Sequence, residues 1–142
     1  MQEVIEQISF SGIAPEDLEA FRVQKDKILS AMKDRLARDT RFASITADAE
    51  RLRISQECAT IFLENFLATA KYNLPAALLD YLDWLRGFLS HRSFPSDFLP
   101  AMISATKIAA HAFMEDKKSD DLAAALTELQ RRESAINEGA HS

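Results

Sequence analysis

Leu78, Leu82, Leu85 and Leu89 recur every three or four residues, and after a Ser93-Phe94-Pro95-Ser96 break Phe98, Met102, Ala105 and Ala109 do the same. That spacing gathers apolar side chains on one face of a helix, so residues 73–113 read as two helices whose stripes meet at a corner. Neither stripe can be buried without the other. With three glycines and four prolines in 142 residues, the chain has few of the turn formers that a β architecture needs. Long helices with short connections are the expected solution.

The rest of the chain repeats the pattern. Val4, Ile5 and Ile8 give a short leading helix, within residues 1–10, a small apolar face. Ser11-Gly12 ends it. Pro15, Glu16 and Asp17 have the composition of a first turn, and Leu18, Phe21, Ile28, Met32 and Leu36 then mark one helix from about residue 14 to Arg38. Asp39-Thr40-Arg41-Phe42 reads as a tight corner, with Phe42 and Ile45 as core anchors. Thr46 is the expected cap of the next helix, where Leu52, Ala59, Phe62, Leu63, Phe66 and Ala70 recur, and Ile61 and Leu67 widen the buried stripe. Asn73 and Pro75 restart the chain into a helix reaching about His91. Ser96 and Asp97 cap one reaching about Glu115. Ser119-Asp120-Asp121 opens the last helix, with Leu122, Leu126, Leu129 and Ile136 on its apolar face, Gly139 at its end and residues 140–142 as a tail. The expected architecture is all-α: five main helices plus the short N-terminal one, in a single domain over residues 1–142.

Charge and cysteine content exclude several functions. The formal net charge is −5, from 17 basic and 22 acidic residues, which offers no footprint for a phosphate backbone or an anionic membrane surface. No run approaches the roughly 20 apolar residues of a membrane span. Neither nucleic acid nor a membrane is an expected partner. Cys58 is the single cysteine, so no internal disulfide or multi-cysteine zinc site can form, and a cytoplasmic location is expected. With no histidine or basic cluster near it in sequence, Cys58 reads as a small packed thiol.

No catalytic constellation stands out. Asp80 and Asp83 lie three apart, but Arg86 follows at the same interval, and a solvated ion-pair ladder explains all three. There is no phosphate-binding glycine loop, nucleophile elbow or metal-binding helix signature. Three scattered histidines, His91, His111 and His141, offer no ligand pair, and His111, four residues from Lys107 and from Glu115, belongs to a polar boundary face. An enzyme is not expected.

A helix carrying Leu36, the Asp39-Thr40-Arg41-Phe42 corner, a long central helix, Ala76-Ala77-Leu78-Leu79-Asp80-Tyr81-Leu82, and Phe94-Pro95 before Asp97-Phe98-Leu99 together resemble bacterial globin-like sensor domains. The nearest branch is the non-haem globins at the amino end of RsbR-type stressosome proteins. The likeness covers about residues 14–136. It implies a globin-like helical bundle acting in stress-response signal transduction: a non-catalytic sensor or interaction domain, working as a homodimer with a regulatory protein partner. The implied dimer elements are the leading helix, with Val4, Ile5 and Ile8, and the face of Leu122, Leu126, Leu129 and Ile136. A small apolar ligand, where the family has one, would occupy the space of a haem, and Phe62, Phe66, Trp84, Leu85, Leu89, Phe98 and Met102 are the candidate lining.

The same resemblance carries an alternative, a haem-binding gas or redox sensor. Relatives that bind haem place the proximal histidine about five residues before the apolar residue of the break, and here that position is Leu89. His91, two places on, points about 200° away around the helix, so no cofactor is the leading expectation and haem on His91 the alternative. A ligand-free structural bundle is the second alternative.

Overall fold

The computed structural model describes Phe10 and residues 12–141, the side chains of 140 and 141 excepted. The expected leading helix, with Val4, Ile5 and Ile8, lies outside the described residues. Among those described there are seven α-helices and no strand: α1 (Pro15–Val23), α2 (Lys25–Arg38), α3 (Ala43–Thr46), α4 (Ala49–Lys71), α5 (Pro75–His91), α6 (Phe98–Phe113) and α7 (Asp116–His141). A 3-10 turn, Thr40–Phe42, joins α2 to α3.

The single helix expected from residue 14 to Arg38 is two. Gln24 leaves helical geometry at φ −92° and ψ 6°, and its N–H bonds to the carbonyls of Ala20 and Phe21 at 3.3 and 3.1 Å, tightening the last turn of α1. No glycine or proline marks the place. The cause is tertiary: α1 packs against α4 and α7, while α2 packs chiefly against α6 and also touches α4. Bending at Gln24 lets Phe21 and Ile28, both fully buried, enter the core from differently directed helices.

The corner forms as its residues suggest. The Asp39 carboxylate accepts from the Arg41 N–H at 3.0 Å, and Phe42 and Ile45 are buried behind it. The cap of α4 is Asp48 rather than Thr46; its Oδ1 accepts from the N–H groups of Glu50 and Arg51 at 3.0 and 3.3 Å, which leaves Thr46 in the preceding short helix. α4 carries Ile54, Cys58, Ala59, Phe62, Leu63, Phe66 and Ala70 into the core, but Ile61 is exposed and Leu67 only half-buried. Its second half is therefore buried on one side.

Asn73 and Ser93, at φ 50° and 62°, turn the chain before and after α5. The Phe94 N–H then reaches back to the Leu89 carbonyl at 3.1 Å, closing the helix end. At the start of α6, Asp97 caps by backbone position only; its carboxylate instead accepts from Arg41 at 3.3 Å, tying the corner to this helix. α6 stops at Phe113, and α7 begins at Asp116, three residues before the expected Ser119. Buried Ser119 donates instead to the Asp116 carbonyl at 3.1 Å. The last helix also runs past Gly139, to His141.

One cluster of buried side chains runs through these helices, from Phe10 to Leu129. α6 makes the most extensive contacts, first with α7 and then with α2. Leu122, Leu126 and Leu129 are fully buried within the single chain. A leucine so buried contributes about 1.5–3 kcal/mol by leaving water, and here α6 and its neighbours supply that burial. These three leucines, expected at a dimer interface, are core residues instead. Ile136, farther along, is half-buried.

Candidate functional site

The candidate ligand-lining residues do not assemble into one site. Phe62, Phe66, Phe98 and Met102 are buried core, and aromatic neighbours pack against the three phenylalanines. Phe66 meets Phe10, Phe21 and Phe62 at ring separations of 5.8, 6.0 and 6.3 Å, while Phe98 meets Phe42 and Phe94 at 5.3 and 5.1 Å. Leu89 is buried facing a different cleft, beside Ser90 and Phe94. Trp84 is 60% exposed, which corrects its place in a core lining: it stands at the rim of a surface cleft. Only Trp84 and Leu85, of the expected set, share a cleft.

That cleft, about 160 Å³, lies between α4 and α5. From α4 come Ile54, Cys58 and Ile61; from α5 come Tyr81, Trp84, Leu85 and Phe88. Spacing of three and four residues aligns the aromatic side chains along the helix. Trp84 stacks on Tyr81 at 6.3 Å and on Phe88 at 5.1 Å, both at 27°. The Arg92 guanidinium ends the stack, 3.7 Å from the centroid of Phe88. Across the rim, Arg53 pairs with Glu50 and, at 2.8 Å, with Glu57.

The electrostatics of this cleft favour neutral groups. Burial, with the Glu57 charge adding to it, pushes the Cys58 thiol up to about 11, so at neutral pH it is protonated and a poor nucleophile. Burial also raises Tyr81, the neighbouring Cys58 adding to the effect. Such a cleft can hold an apolar group between two helices. Among the described residues no cluster of three His, Cys, Asp or Glu side chains is placed to hold a metal ion. His91 is exposed on the last residue of α5; His111 is exposed, its Nδ1 3.0 Å from the Ser119 Oγ. A wider cleft, about 690 Å³, separates α1 from α4, but it opens beside Phe10, where the described residues begin.

A charged clamp ties α5 to α7. Arg86 donates through Nε and Nη2 to Glu133 at 2.9 and 3.2 Å and through Nη2 to Asp83 at 2.7 Å. Arg132 donates to the same two acids, to Glu133 at 2.6 Å and to Asp83 at 2.9 Å. Glu133 is buried, and the buried Arg132 Nε has no hydrogen-bond partner among the described residues. Partial burial pushes Asp83 up, but Arg86 and Arg132 outweigh it and hold the carboxyl below its ordinary value. The expected solvated ladder of Asp80, Asp83 and Arg86 is thus corrected: Asp83 and Arg86 join an inter-helix network, and Asp80 stays outside it in solvent.

Sequence reasoning missed Cys58, Ile61 and Phe88 as cleft residues. The interval from Tyr81 through Trp84 to Phe88 was a usable signal, since it places three aromatics beside, rather than within, the leucine stripe. Comparison with protein-family models, curated proteins and solved structures finds no match to this chain.

Proposed function

We propose that the chain is a non-catalytic regulatory domain of globin-like type that takes a small apolar group into the cleft between α4 and α5. The observation that carries this is an exposed tryptophan, stacked between Tyr81 and Phe88, beside an open apolar cleft whose only thiol is held protonated. Large apolar side chains left in water at a concave place mark binding sites more often than scattered surface ones do. Support for the globin-like frame is the order of the helices, the short corner between α2 and α4, and the dominance of α6 packing on α7 and α2. The capacity of the cleft defines the ligand class. A void of roughly 150 Å³ accepts one benzene-sized molecule, so the ligand is a single ring, a short branched alkyl group, or one apolar side chain of a protein partner.

Toluene is a suitable probe. In methyl-labelled protein titrated with toluene, shifts should be confined to Ile54, Ile61 and Leu85, with the Trp84 indole moving too. Cys58→Met, which extends a side chain into the cleft, should abolish them. Shifts spread over Phe62, Leu63 and Met102, or none at all, would defeat the reading.

A further inference from the structure

The cleft that Leu89 faces, about 240 Å³, lies where the end of α5, the break after it and Asn137 of α7 meet. Its walls are tied on two sides. The Phe94 N–H bonds back to the Leu89 carbonyl at 3.1 Å, and the Asn137 side-chain amide donates to the Ser96 carbonyl, which fixes the break to α5 and to α7. Leu89, Phe94, Pro95 and Leu99 give the cleft an apolar floor. Arg86 and Ser90 interrupt it, four residues apart and therefore on one side of α5.

The clamp uses only one edge of Arg86. Nε and Nη2 donate to Glu133 and Asp83, whereas Nη1 makes no hydrogen bond among the described residues. Nor is Nη1 fully buried, since Arg132 Nε is the one buried side-chain nitrogen or oxygen without a partner there. The Ser90 hydroxyl, on an exposed residue, makes no hydrogen bond among the described residues either. A guanidinium edge and a hydroxyl beside an apolar floor match a carboxylate on an apolar body.

We propose that this cleft binds a small carboxylic acid carrying one ring or a short branched chain. One carboxylate oxygen accepts from Arg86 Nη1 and the other from Ser90 Oγ, while the apolar body lies on Leu89, Phe94, Pro95 and Leu99. The acids of the clamp do not oppose this, because Asp83 and Glu133 are balanced by Arg86 and Arg132 and engage the other edge of Arg86. Size sets the limit of the class. A void of roughly 150 Å³ holds one benzene, so this cleft has room for a ring with its carboxylate and none for a long acyl chain. No residue lines both this cleft and the one between α4 and α5, and the inference does not rest on the apolar-group reading.

Benzoate is the probe, with benzamide as its neutral counterpart, each titrated into the full methyl- and amide-labelled chain. So few contacts predict weak, millimolar binding. Saturable shifts should appear at the Leu89 and Leu99 methyls and at the Asn137 side-chain amide. Benzamide should bind about tenfold more weakly, and Ser90→Ala should weaken benzoate about fivefold. Ser90→Phe, which fills the cleft from an exposed position, should abolish binding at an unchanged melting temperature. Benzamide binding as tightly as benzoate, Ser90→Phe binding like the parent, or no saturable shift below about 50 mM overturns the inference. Toluene uptake at Ile54 and Ile61 without benzoate binding would remove it and leave the earlier reading standing; benzoate at Leu89 and Leu99 without toluene uptake would do the reverse.

Discussion

Glu133→Ala strikes the α5–α7 clamp at its most buried acid. The Glu133 side chain is 2% exposed and accepts from both Arg86 and Arg132. Removing it leaves the Arg132 guanidinium, 8% exposed and with Nε already unpaired among the described residues, with Asp83 as its remaining acid there. Breaking a buried pair by deleting one partner costs about 3–5 kcal/mol, because the surviving charge stays desolvated. Arg86 is 29% exposed and can turn toward water, which argues for the lower end, about 3 kcal/mol. Against a total of about 5–15 kcal/mol for an ordinary domain, that is a large fraction. With a urea dependence of about 2 kcal/mol per molar, the unfolding midpoint should fall by about 1.5 M. Glu133→Gln, which keeps the shape and part of the hydrogen bonding, should fall between the two. Replacing Arg86, Arg132 and Glu133 together by leucine and methionine should recover most of the loss, since an apolar trio leaves no charge buried. A midpoint shift for Glu133→Ala of only about a third of the expected value would refute the view that the clamp is desolvated and structural.

The clamp also gives stability a dependence on acid. Asp83 is held below its ordinary value in the folded chain, so its contribution is fully present above the unfolded-state value of about 3.9 and is lost as pH falls through the lower folded one. Melting temperatures of the parent and Asp83→Asn should differ by a constant amount near neutrality and converge below about pH 4; a gap that widens in acid would contradict this. Cys58, with its thiol pushed up to about 11, should react with Ellman's reagent far more slowly in the native chain at pH 8 than in urea, and equal rates would refute both its burial and the upward shift. Asp48→Ala removes the carboxylate that caps α4 and should cost about 1 kcal/mol in chemical denaturation, whereas Thr46→Ala should cost less; the reverse order would restore the cap to Thr46.

Much of the framework is legible in the chain itself. Phe42 and Ile45 act as anchors, Pro75 opens α5, and the Phe94-Pro95 break separates two helices. These are local effects, since each depends on residues within about one turn. Boundaries moved where a neighbour in sequence could fill the same role, so that Asp48 took the cap from Thr46, and α7 began at Asp116 with Ser119 inside its first turn. The bend at Gln24 had no local signal, because it arises from α1 and α2 having different partners.

The candidate site was legible only in part. An apolar stripe announces that a helix is buried, but not on how many sides or by what. Ile61 and Leu122 both fit an apolar stripe at helical spacing, yet Ile61 is 45% exposed while Leu122 is fully buried. Arg86 and Glu133 stand 47 residues apart, and no pattern in either helix foretells their pairing. The amino-acid sequence determined an all-helical chain with a corner after α2 and a break after α5, because hydrophobic period and capping act over a few residues. Only the tertiary structure decided which face each helix left to water, because burial of a side chain belongs to the pair of helices that encloses it and not to either alone.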